Sequence, residues 1–135
     1  MHHKYESFEI IMIMLLIIAI FIISALKTWQ KKKSVELSLL VQHVKEDFKK
    51  ISNYLEEFYT SNTYYPPSLQ KVLPQVPRDP FRKDGGTYTY YLLPNGWIVY
   101  SYGPDHQDDN GKVEWDPQSG SRGKGDIVIR RVKRN

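Results

Sequence analysis

Residues 5–33 read YESFEIIMIMLLIIAIFIISALKTWQKKK, and the way this stretch divides between hydrocarbon and water governs the rest of the chain. Every residue from Ile10 to Ile23 is apolar and Ser24 is the one polar residue before Lys27, so the segment is 17 residues long, or 19 with Phe8 counted across Glu9. A spanning helix needs about 20 such residues, each rising 1.5 Å, to cross roughly 30 Å of hydrocarbon. A cleaved secretory signal has a shorter apolar core, about 7–15 residues, and a small-residue cleavage site; Ile23-Ser24-Ala25 makes a poor one. A buried core helix this uniform needs more protein around it than the ~100 remaining residues can build. Residues 5–33 are therefore expected to form a transmembrane helix.

Glu9 sets this helix apart from a plain anchor. An ionised carboxylate in hydrocarbon costs several kcal/mol unless it is paired or held at the interface, so a charge at the mouth of an apolar run calls for a partner. Past the run, Lys27, Lys31, Lys32 and Lys33 outweigh Lys4 and the amino terminus. Taken alone, that bias favours a cytoplasmic C-terminal side.

Downstream, Ser34 offers an N-cap or helix restart, with any bend near Lys31–Ser34. Leu37, Leu40, Val41, Val44, Phe48, Ile51, Leu55, Phe58 and Tyr59 then recur at intervals of three and four. That period defines one face of an amphipathic helix over 34–60, leaving Glu46, Asp47, Lys49, Lys50, Glu56 and Glu57 for other faces. The whole helix is expected from about Tyr5 to Thr60. It should end at Ser61-Asn62, because Tyr65-Pro66-Pro67 forces extended backbone before the first proline. In the connecting region 61–87, Ser68 to Leu73 predicts one short helix, and Pro74, Pro77 and Pro80 impose a loop.

A hairpin is expected over 88–102. Tyr88–Leu93 and Trp97–Tyr102 are strand formers, and Pro94-Asn95-Gly96 between them supplies the turn, with Asn-Gly the hairpin signal, since both of its residues tolerate positive φ. A third strand occupies 126–132. The fold class is α+β: a long helix, apolar and then amphipathic, packed on an antiparallel sheet of about three strands.

The segment 103–125 carries Asp105, Asp108, Asp109, Glu114 and Asp116, with Asp126 just beyond, among several glycines and without a hydrophobic plug. Oxygen-rich loops of this kind suit a hard cation, since calcium takes six to eight oxygens from carboxylates and carbonyls. No EF-hand register fits: counted from Asp105 the sixth position is Asn110, and from His106 the twelfth is Pro117. The alternative is a solvated acidic loop.

Several function classes lose their footing. The chain has 135 residues, a net charge of +4 and no cysteine, which removes disulfides, thiolate metal sites and thiol nucleophiles. The basic residues cluster at 27–33 and in the tail Arg130, Arg131, Lys133, Arg134, without the stacking face that nucleic acid requires, so no nucleic-acid partner is expected. His2, His3, His43 and His106 show no ligand or triad spacing, no phosphate-binding glycine loop is present, and nothing builds a glycosidase cleft around paired carboxylates. No enzyme is expected.

The N-terminal pattern Tyr5-Glu6-Ser7-Phe8-Glu9 followed by the apolar helix resembles that of type IV pilins and pseudopilins. The later succession of Tyr64-Tyr65-Pro66, Asp79-Pro80-Phe81, the Tyr-rich hairpin, Ser101-Tyr102-Gly103-Pro104-Asp105 and Gly125-Asp126-Ile127 resembles the major pseudopilin of type II secretion systems. The resemblance implies a filament subunit that polymerises through its N-terminal helix, Glu9 pairing with the amino terminus of a neighbour's Tyr5. It implies residues 1–4 as a short leader cut by a prepilin peptidase between Lys4 and Tyr5, although Lys4 stands where the family has Gly. It implies partners in copies of itself, other pilin-like subunits and an inner-membrane assembly platform. It places the chain as a single-pass protein of the inner membrane, among lipid, with residues 34–135 extracytoplasmic, against the lysine bias. It also implies calcium held by Asp105, a carbonyl near Tyr102, Asp126, Asp108 and Asp109. The alternative function is a signal-anchored extracytoplasmic binding module with a calcium-stabilised loop.

Overall fold

The computed structural model describes residues 2–132, with side chains described for residues 8–120 and 123–132. One helix, α1, covers His2–Asn62. Three strands follow, β1 (Thr89–Leu93), β2 (Gly96–Ser101) and β3 (Ile127–Val132), forming an antiparallel sheet in the order β1-β2-β3. The layout is α+β. The chain divides into two units, Met1–Glu36 and Leu37–Asn135.

In the first unit every residue from Phe8 to Glu36 is exposed. The large apolar side chains between Phe8 and Leu26 range from 48% exposed at Ile17 to 72% at Phe21, so nothing in the unit covers them. Ser34, expected to restart the helix, is helical with no cap of its own. The Thr28 hydroxyl is satisfied locally, donating to the Ser24 carbonyl at 3.0 Å.

The second unit has its own core. Val41, Val44, Phe48, Ile51 and Leu55 of α1 are buried, as the spacing predicts, against Leu69, Phe81, Tyr88, Trp97, Val99 and Ile127. Two acids expected on other faces of α1 belong with this core. Asp47 is buried and accepts the Tyr88 hydroxyl at 2.9 Å. Glu56 Oε1 accepts both the Tyr65 hydroxyl, at 3.0 Å, and the Trp97 indole N–H, at 3.3 Å. Asp47 follows Val44 by three residues and precedes Ile51 by four, so it lies on the edge of the apolar stripe, where a polar group survives burial only if bonded. Burial and the bond to Asp47 together push the Tyr88 hydroxyl pKa far above its usual value.

α1 stops where expected. Thr63 takes the left-handed φ of 65°, and its N–H donates to the Tyr59 carbonyl at 2.7 Å before the two prolines. The short helix expected over 68–73 shrinks to a single 3-10 turn, Leu69–Lys71, which buries Leu69. The hairpin turn lies where the sequence placed it, without the positive φ that Asn-Gly suggests. Leu93 pairs with Gly96, leaving Pro94 and Asn95 as the loop, and neither Asn95 nor Gly96 has a positive φ. Pro94 presets the first turn position instead. Gly96 is needed for a different reason: a Cβ there would lie 1.7 Å from the Arg131 carbonyl oxygen of β3.

Alternation along β2 sorts its two faces. Trp97 and Val99 face the helix and join the core, while Ile98 and Tyr100 face away from it. Tyr100 is nonetheless fully buried, because the acidic loop lies over that outer face. Gly111 packs so closely there that an added Cβ would meet Ile98 Cδ1 at 2.8 Å and Tyr100 Cδ1 at 3.1 Å, and its φ of 67° also favours glycine. The second unit is therefore three-layered: helix, sheet, loop.

Candidate functional site

The first candidate is the apolar segment with its acid. Glu9 is exposed, as are the apolar residues after it, and α1 carries a stretch long and apolar enough to cross a membrane. The side chains of Lys4 and Tyr5, assigned to leader cleavage and assembly, lie outside the described residues.

The second candidate is the loop over the sheet. It begins at Gly103, runs through a short 3-10 stretch, Pro117–Arg122, and returns to β3. The loop is not without apolar anchorage, as the sequence reading supposed: Trp115 is half-buried against the core, and its indole N–H donates to the Gly120 carbonyl at 3.0 Å. Backbone bonds close the neck, with Asp126 N–H donating to the Val113 carbonyl at 2.8 Å and Trp115 N–H to the Asp126 carbonyl at 2.9 Å. Arg130 on β3 clasps the loop by pairing with Glu114.

Each predicted ligand has a definite place. Asp126 is fully buried; its Oδ2 accepts the Gly111 N–H at 2.7 Å and its Oδ1 the Asp109 N–H at 3.4 Å. Asp105 accepts the Gln107 and Gly125 N–H groups, both at 3.2 Å, and so stitches the two ends of the loop together. Asp108 Oδ1 accepts the Tyr100 hydroxyl at 3.0 Å and the Asn110 N–H at 2.9 Å. Tyr102 N–H donates to Asp79 at 2.8 Å, its ring lies 4.7 Å from the Arg82 guanidinium carbon, and burial and the neighbouring Asp108 raise its hydroxyl pKa.

Asp108 and Asp109 thus lie near the Asp126 carboxylate, while Asp105 bonds the Gly125 N–H at the end of the loop. Burial raises the Asp126 carboxyl pKa to about 6, the neighbouring Asp108 and Asp109 charges push the same way, and the Gly111 and Asp109 amides oppose them. Among the described residues no three acidic or histidine side chains gather in a group able to hold a metal. The residues present fit a calcium ion only in composition: Asp108 and Asp109 lie near one buried carboxylate, and Asp105, Asp108 and Asp126 each also accept a hydrogen bond from the loop or sheet.

The sequence reading gave Asp79 no role, yet it holds one end of the sheet. It is buried, accepting the Phe81 N–H at 2.9 Å, the Ser101 hydroxyl at 2.6 Å and the Tyr102 N–H at 2.8 Å. Its signal lay in Asp79-Pro80-Phe81, an acid before proline in a segment that must turn. A cleft of about 600 Å³ was also missed; Tyr59, Tyr64, Tyr65, Leu92, Leu93 and Pro94 are among its lining.

Compared with known proteins, the chain matches no family model, no curated protein and no solved structure.

Proposed function

We propose that the chain is a pilin-like, pseudopilin-type structural subunit: anchored in the cytoplasmic membrane by its N-terminal helix, assembling with copies of itself and related subunits through that helix, and carrying residues 34–135 outside. One observation carries this reading. The surface from Ile10 to Leu26 is apolar but for Ser24 and uncovered within the chain, and Glu9 stands exposed at its entrance. Lipid satisfies the apolar side chains of such a helix but not the carboxylate, whereas the amino terminus of a sister chain answers the charge. On this reading an assembly platform and a prepilin peptidase are further partners, with cleavage between Lys4 and Tyr5 visible by mass analysis of the amino terminus.

Replacing Glu9 by Ala tests the proposal. Crosslinking between full-length chains in bilayers is expected to fall several-fold while the unfolding midpoint of the second unit is unchanged. Equal crosslinking in both proteins would reduce the molecule to a tethered domain.

Calcium belongs to the same proposal. The raised pKa of Asp126 reflects negative charge and burial together, and a divalent cation relieves both. Calcium is expected to raise the melting midpoint of residues 34–135 and chelator to reverse it; identical midpoints would remove the ion from the proposal.

The tyrosine-lined cleft supports the second reading, an anchored module that binds a ligand against Tyr64 and the hairpin end. Tyr64→Ala abolishing recovery of a bound small molecule, with assembly intact, would favour that reading over the first.

A further inference from the structure

The cationic residues at the C-terminal end of the apolar segment form a collar rather than a patch. From Lys27, a helix turning about 100° per residue places Lys31, Lys32 and Lys33 at about 40°, 140° and 240°, so positive charge surrounds the axis. The four lysines occupy about 9 Å of axial rise, comparable to the roughly 5–8 Å of headgroup layer on one side of a bilayer. Among the described residues none of the four is ion-paired with a carboxylate. Between Glu9 and Glu36 the sequence has no acid at all, and Glu36 can offset at most one lysine. Trp29 sits inside the collar, 61% exposed, with the Lys33 ammonium 5.5 Å from its ring centroid. An indole beside the end of an apolar helix favours the interfacial depth, where its ring is buried and its N–H stays wet.

We propose that Lys27, Lys31, Lys32 and Lys33, with Trp29 as a depth marker, form a binding collar for anionic phospholipid headgroups in the leaflet at the C-terminal end of the span. The partner follows from charge and position: four ammonium groups without a carboxylate partner among the described residues, in one headgroup-thick band directly after a hydrocarbon-length apolar segment. The proposal rests on the anchor reading and adds a lipid class to it. A zwitterionic headgroup offers each lysine a phosphate and, beside it, a competing cation, whereas an anionic headgroup leaves net charge for the collar to neutralise.

The test uses the full-length chain reconstituted in phosphatidylcholine vesicles with trace spin-labelled phosphatidylglycerol or phosphatidylcholine, read as the motionally restricted fraction. Phosphatidylglycerol is expected to associate about fivefold more strongly at low salt, with the ratio falling towards unity in the quadruple Lys→Gln variant and at high salt. Equal association of both lipids, or a preference that survives the quadruple change, would overturn the collar. Loss of the preference on adding millimolar glycerol phosphate would assign the chemistry to soluble phosphate and overturn it as a lipid site. The anchor is judged separately: retention in phosphatidylcholine vesicles through an alkaline wash without lipid preference sinks the collar alone, whereas release of the chain sinks both.

Discussion

Two buried carboxylates, Asp79 and Asp126, do most of the tying in the second unit. Asp79 satisfies two backbone N–H groups and a hydroxyl that would otherwise be buried without partners. Asp79→Ala is expected to cost about 3 kcal/mol in urea unfolding, since it strands three donors at once; a loss below about 1 kcal/mol would mean that water replaces the carboxylate easily. Asp126 makes a pH prediction of definite sign. Its pKa is raised in the folded state, to about 6 from the ordinary 3.8, so between those values the folded chain holds a proton that the unfolded chain has released. Its stabilisation is fully present below the unfolded value and is lost as pH rises through about 6. The contribution of this group should fall by about 2–3 kcal/mol from pH 4 to pH 7. Asp126→Asn keeps an acceptor for the close Gly111 amide and gives up only the long bond to Asp109, so it should remove most of that slope. Paired pH-stability curves check the difference, and parallel curves would contradict it.

Among the elements, the helix, three strands and sheet class were legible because each rests on a local pattern: period 3.6 from Leu37 to Leu55, runs of Tyr and Val, and prolines where chain direction changes. What the pattern could not show depends on contacts between segments distant in sequence. Pro94-Asn95-Gly96 is legible as a turn; that Pro94 and Asn95 alone form the loop, while Gly96 pairs within β2 and lies against the backbone of β3, is not. Asp105, Asp108, Asp109 and Asp126 are singled out by the sequence for their oxygens alone. That Asp105, Asp108 and Asp126 accept loop amides and the Tyr100 hydroxyl depends on how the loop lies over the sheet, which composition does not encode. Asp47 departs from the expectation because the helical period assigns acids to water, whereas its burial is met by the Tyr88 hydroxyl from the sheet side and by His43 and Lys50 on its own helix. Gly96→Ala tests the close approach directly. With the Cβ driven into the Arg131 carbonyl, the β2–β3 pairing must shift, at an expected cost of about 1–3 kcal/mol. Faster amide exchange along β3 than along β1 would localise the damage; uniform exchange would argue against this contact as its cause.

At the scale of the whole molecule, two units obey different solvents: residues from Leu37 onward bury their apolar side chains internally, and those from Phe8 to Leu26 bury none. A lone anchor and an assembling helix present the same composition to a bilayer, and they differ in whether one face of the helix meets protein. Because the chain contains no cysteine, a single introduced thiol is a clean reporter of that difference. Substituting Cys in turn at Met12 through Ile22 of the full-length chain and oxidising in bilayers should give disulfide-linked pairs whose yield rises and falls with the helical repeat of about 3.6 residues. Maxima must recur on one face, because packed helices meet along a stripe. In the Glu9→Ala background the maxima should flatten, since the carboxylate sets the register between neighbours. A low, featureless yield in the parent chain would mean that the apolar surface is met by lipid alone, and the charge at its entrance would then be answered by the headgroup layer rather than by a sister chain.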